Sequence, residues 1–159
     1  MIAPAAAGER EALSFFLAAQ RASVLAIVDG LSDGQLRRAV VPSGWTPVGM
    51  IEHLGDAERV WFQYVVAGEP TDDTDHEPAD VAEVVSYYRA QTVRSDEILA
   101  ATPLDARPAA RPVVDIGIAD DVITVRDVVL HMIEETARHA GHLDVARELI
   151  DGRTGLGPR

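Results

Sequence analysis

At 159 residues with 47% apolar side chains, the chain is sized for one domain, residues 1–159, around a single sizeable core. The 14 Lys and Arg stand against 26 Asp and Glu, a formal net charge of -12, and no cationic cluster offers phosphates a surface, which argues against nucleic acid and anionic membrane as partners. The absence of Cys removes disulfides, zinc-thiolate sites and a cysteine nucleophile together, so a metal would be held by imidazole and carboxylate, and thiol chemistry would need a thiol from outside.

The first helix is expected from about Glu9 to Asp29, where Leu13, Phe16, Leu17, Gln20, Val24 and Ile27 recur at helical spacing and Gly30 marks the stop. Leu31 to Arg38 can add a short turn of helix, and Val41-Pro42-Ser43-Gly44 reads as a loop. Thr46 before Pro47 is a helix start, because the hydroxyl can accept an orphan amide and Pro at the first position loses no intrahelical bond. This second helix should end near Gly68, ahead of an acidic loop from Glu69 to Glu77 that holds a solvated His76. Asp80 with Glu83 three residues on starts a third helix to about Ala101, with Val81, Val84, Val85, Tyr88 and Val93 available for packing.

Pro103, Pro108 and Pro112 make residues 103–122 poor helix, and so long a connection is expected to be functional or to cross between distant helix ends. Val113 to Ile118 could add a short extended segment. Thr124 with Asp127 starts the fourth helix, which runs to about Ile150 before Gly152. The expected fold is therefore all-α, a bundle of four main helices with a long crossover loop before the last. No stretch approaches the roughly 20 apolar residues of a membrane helix, and no basic segment followed by a long apolar run opens the chain, so a cytoplasmic protein is expected.

The last helix carries the chemistry. Taking about 100° per residue and His131 as zero, Glu135, His139 and His142 fall at about 40°, 80° and 20°, so four titratable side chains share one stripe. On the same wheel Val128, Met132, Leu143, Ala146, Leu149 and Ile150 lie between about 0° and 120°, while Arg126, Glu134, Asp144 and Glu148 lie outside, so the polar stripe points inward. Burying a carboxylate with imidazoles costs several kcal/mol unless the groups are paired or bind a cation. A divalent metal answers that cost, and four-residue spacing lets two ligands reach one ion.

A third protein ligand must come from elsewhere, and His53 is the other His on an expected helix, at the border of an arc holding Met50, Leu54, Ala57, Trp61, Tyr64 and Val65. A lone inward His is often a core residue satisfied by a carbonyl, but two helices presenting inward ligands favour a metal. His131 and His142 are candidates for a fourth ligand, a hydrogen-bond partner of a ligand, or a proton carrier. Trp45, Trp61, Tyr64, Tyr87 and Tyr88 could line a pocket, although aromatic residues at this spacing usually fill a core. Arg138, at about 340°, could steer an anionic substrate or pair with Glu134 or Glu135.

Ser43-Gly44-Trp45-Thr46-Pro47 leading into His53-Leu54, together with the run from His131 to His142, resembles the DinB/YfiT-like helical metal proteins over nearly the whole chain. The resemblance implies a four-helix bundle in up-down-down-up order, a homodimer, and a metal held by His53, Glu135 and His139. Many relatives have His where this chain has Glu135. The His-Glu-His set is similar to that of mycothiol-dependent maleylpyruvate isomerase, but this sequence holds no counterpart of that enzyme's second domain, so its substrate is not carried over. Several relatives are S-transferases using bacillithiol, mycothiol or glutathione, and a bound cation, zinc or nickel, would lower a thiol's pKa.

The expected function is thus a metal-dependent S-transferase acting on a small-molecule substrate with mycothiol or another small thiol, assisted by His142 or Arg138. The alternatives are a hydrolase in which the ion activates water, and a non-catalytic protein in which the ion only links two helices.

Overall fold

Residues 8–70, 80–111 and 122–155 are described by the computed structural model, and they contain helices and no strand. Helix α1 spans Glu9–Val28, α2 is the short Asp33–Leu36, α3 is Pro47–Glu58, α4 is Val81–Ala101 and α5 is Val125–Asp151. The expected caps set the boundaries. Thr46 accepts the amide of Gly49, Asp80 that of Glu83, and Thr124 forms a reciprocal capping box with Asp127. Gly152, at φ 78°, closes α5 in the left-handed conformation that glycine adopts without a Cβ penalty.

Past Glu58, α3 continues over Arg59–Val66 as a π-helix, in which the amide of Ala67 reaches back five residues to the carbonyl of Phe62. The wider turn lets neighbouring residues share the inner face, so the pairs Trp61-Phe62 and Val65-Val66 are all buried. Apolar spacing alone does not separate this from an α-helix ending at the same place.

Side-chain contacts fix the directions. Glu9 pairs with Arg126 at the starts of α1 and α5, and Arg147 reaches the carbonyls of Ile27 and Asp29 at their ends, so these helices are parallel. Tyr87 to Asp56, Gln63 to Gln91 and Arg94 to Glu69 run in step along α3 and α4, which are parallel too. Arg10 donates to the carbonyls of Leu99 and Thr102, placing the start of α1 at the end of α4. The order is up-down-down-up around the short α2.

This arrangement decides what each long connection does. Because α3 and α4 run parallel, the end of α3 and the start of α4 lie at opposite ends of the bundle. The connection before α5 instead comes back to where it left, with Arg126 donating to Leu104 and Val125 to Ala106. The expected extended segment at 113–118, the loop over 71–79 and His76 lie outside the described residues.

Two buried clusters make the core. One holds Leu17, Ala57, Trp61, Phe62, Val129 and Met132, and the other Val24, Ile51, Leu54, Tyr88, Ala140 and Leu143. Along α1 and α5 the chain passes from one cluster to the other through polar residues: Arg21, and Glu135 with His139. Gly55 lets α3 approach α4, since a Cβ there would lie 2.7 Å from the Tyr87 ring.

Phe16, Val93 and Leu149 are more than half exposed although their spacing suited packing, because they sit at the edges of their stripes with no helix over them. By length and composition, α1 is apolar enough to cross a membrane, against the expectation that no stretch of the chain is. In the fold it is a bundle helix, with Leu17 and Val24 fully buried and a buried Arg21 at its middle.

Candidate metal centre

Because α3 and α5 run antiparallel, the second turn of α3 faces the middle of α5, and His53 meets Glu135 and His139. His53 Nε2 lies 3.0 Å and His139 Nε2 2.9 Å from the same oxygen, Glu135 Oε1. One donor atom from each residue falls within 4.8 Å of the other two. Glu135 and His139 are largely covered, at 18% and 12% side-chain exposure, whereas His53 is 38% exposed, so the group is reached from solvent on the α3 side.

Hydrogen bonds from His139 and then His53 hold the Glu135 carboxyl well below its ordinary value of 4.5, against desolvation, so it is ionised at neutral pH. An ionised carboxylate only accepts, so each Nε2 here carries the proton. Moving that proton to Nδ1 turns both imidazoles into lone-pair donors facing one anionic oxygen. Two imidazoles and a carboxylate at this separation fit a divalent transition-metal ion, and three protein ligands leave a tetrahedral ion one open position.

The remaining residues of the stripe separate by role. His142 is exposed, with Nδ1 3.4 Å from His139 Nδ1, where it can receive the Nδ1 proton of a metal-binding His139. His131 packs on Trp61 with ring centroids 4.4 Å apart, and burial pushes its pKa down against the pull of Glu135 and Glu134. Among the described residues neither joins the converging group. Arg138 is exposed on the outer face of α5. Trp45, ahead of the Thr46 cap, stands against His53 and His139 at ring-centroid distances of 5.6 and 6.4 Å. Of the other aromatic residues, Trp61 and Tyr88 fill the core.

A family model described as mycothiol-S-transferase matches residues 12–152. The chain belongs to the mycothiol-S-transferase family. No curated protein and no solved structure matches it. The match spans the same helices, from α1 to the end of α5, that carry the DinB/YfiT-like resemblance.

In this mycothiol-S-transferase-family bundle, a second polar group escaped the sequence reading. Arg21 is buried and clamps Glu58 through two bonds of 2.7 and 2.6 Å, with a third bond of 2.7 Å to Asp96 on α4. Desolvation pulls the Arg21 pKa down, but Glu58 and Asp96 overcome it and raise it, so the guanidinium stays charged. A signal was present: Arg21 stands four residues after Leu17 and three before Val24, and Glu58 four after Leu54 and four before Phe62, both at core spacing. Opposite charges on two apolar faces can be read as partners. Joining α1, α3 and α4, this clamp fixes α3 five residues beyond His53.

Proposed function

We propose that the protein is a divalent-metal-dependent S-transferase, with His53, Glu135 and His139 holding zinc or nickel and mycothiol or another small thiol supplying the sulfur. The convergence of both imidazoles on one carboxylate oxygen carries this reading, and the family match supports the reaction type. A bound divalent cation would lower the thiol's pKa and stabilise the thiolate.

The chain's own residues do the rest. Glu135 supplies the negative charge that favours a cation over a proton, and His142 receives the Nδ1 proton of His139, which fixes the donor tautomer. Arg138 is the exposed cation on α5 that would meet an anionic group of an incoming molecule. In the transfer the sulfur–carbon bond forms, the bond from carbon to its leaving group breaks, and the thiol proton passes to solvent. With no Cys in the chain, no protein sulfur competes with the thiol. A cytoplasmic location, where small thiols are reduced, and a homodimer complete the proposal, the latter checked by light scattering against the 17.1 kDa chain mass.

Elemental analysis of protein purified without a metal-affinity tag is the first test, with about one ion per chain expected. His139→Ala and Glu135→Ala should abolish it, and an unchanged metal content would sink the assignment. His142→Ala should keep the ion while weakening its affinity about 10–100-fold. Mass spectrometry of products with and without added thiol then tests the reaction. Turnover indifferent to thiol would mark hydrolysis instead, and an ion with no exchangeable ligand would mark a structural site.

A further inference from the structure

The start of α3 and the last turns of α5 do not close on each other beside the metal centre. Between them lies a cavity of about 280 Å³, walled by Val41, Met50, Leu143, Val145 and Ala146. Trp45 and His142 also line it, and both touch the ligand group: Trp45 packs on His53 and His139, and His142 sits 3.4 Å from His139. The cavity and the metal centre therefore share two side chains.

From this juxtaposition of an uncharged cavity with the ligand group we infer that it seats the apolar part of a neutral electrophile, the molecule that receives the thiol sulfur. The inference rests on the transferase reading and adds the chemical class of its second substrate. No carboxylate, ammonium or guanidinium stands among the described lining residues, although a quarter of the chain is charged. A charged electrophile would enter without a partner, at a cost an apolar one avoids. The volume lies at the lower edge of small-molecule sites, roughly 300–1,000 Å³, which suits one substituted ring and not an extended chain.

The walls are firm. Met50, Leu143 and Ala146 are nearly fully buried from the core side, and the opposite wall rests on a turn in which Gly44 donates to Val41. Gly44 has φ 81°, a conformation that a residue with a Cβ rarely adopts. This turn delivers Trp45, 42% exposed, to the cavity mouth, where its ring offers a face to a flat aromatic partner. With an aryl chloride seated there, the sulfur–carbon bond forms as the carbon–chlorine bond breaks, chloride leaves, and the thiol proton goes to solvent.

Two measurements on the full-length protein test this. In the first, dinitrobenzene, which cannot react, is titrated while NMR shifts are followed. Shifts should cluster at the Trp45 indole and at Met50 and His142 to Ala146, and Val145→Glu, at an exposed wall position, should weaken binding about tenfold. In the second, the ratio of kcat/KM for chlorodinitrobenzene over iodoacetamide, a small polar electrophile, should fall by a similar factor in Val145→Glu. The control Val93→Glu, on the exposed face of α4, should leave that ratio as it was. Val41→Glu repeats the test from the opposite wall should Val145→Glu fail to fold.

Shifts elsewhere, or binding insensitive to both wall variants, would overturn the cavity's assignment while leaving the transferase reading intact. Binding in the cavity without conjugation by any small thiol would overturn the transferase reading, and the electrophile's role with it.

Discussion

At Glu135, one oxygen accepts from two imidazoles, and at Glu58 both oxygens accept from one guanidinium. The buried Glu58 and the largely covered Glu135 solve the same desolvation problem in different ways. Glu58 has a permanent cation, so its cost is met within the fold, whereas Glu135 faces imidazoles whose Nε2 protons a metal can displace. Removing one partner of the closed pair should be severe. Glu58→Ala, which leaves Arg21 buried with only the exposed Asp96 for company, should destabilise the protein by about 3–5 kcal/mol in urea unfolding. Replacing Arg21 and Glu58 together by Met should cost far less, and equal losses in the single and double variants would show that packing, not charge, holds the site. The spacing of both residues was readable in sequence, but their pairing was not, because it depends on how α1 crosses α3.

At the scale of the element, α5 is fixed at its start by local chemistry. Asp127 accepts from the Thr124 hydroxyl at 2.7 Å and its amide at 2.8 Å, and from the Ile123 amide at 3.1 Å. The Thr124 hydroxyl above all, helped by the backbone amides, holds the Asp127 carboxyl below its ordinary 3.8 against desolvation. A folded pKa below the unfolded one gives stability that is fully present above 3.8 and fades as pH falls through the folded value. Thr124→Ala should therefore cost about 1 kcal/mol at pH 7. The gap from wild type should narrow in denaturation series taken below pH 3.8, and a gap constant down to pH 2 would rule out this linkage. All three expected caps are present, since a cap needs only residues within one turn. The π-helical turns of Arg59–Val66 had no such local signature, as they are set by burial of Trp61-Phe62 and Val65-Val66 against neighbouring helices.

For the whole molecule, the group of His53, Glu135 and His139 joins the two antiparallel helices α3 and α5 at the level where one core cluster gives way to the other. An ion there should act as a clamp on the bundle. At a free metal concentration 100 times Kd, linkage stabilises the fold by about 2.7 kcal/mol, which for a domain of this size raises Tm by roughly 5–10 °C. Differential scanning calorimetry with zinc or nickel against chelator should show that rise in wild type and none in His139→Ala. A Tm indifferent to metal in wild type would remove the clamp.

The amino-acid sequence by itself determined the helices, the starts at Thr46, Asp80 and Thr124, and the inward placing of His131, Glu135 and His139, because periodicity and capping act within a few residues of the same chain; the fourth member of the expected stripe, His142, is exposed. It also supplied His53 as the third candidate ligand, through the second helix's own wheel and the family resemblance. Tertiary structure decided what long-range packing decides: that α3 runs parallel to α4 and antiparallel to α5, and that Arg21 meets Glu58 and Asp96. It also separated the stripe, seating His131 on Trp61 and His142 behind His139. The group of three inward residues expected in sequence is thus the group that converges, and the antiparallel approach of α3 to α5 is the reason.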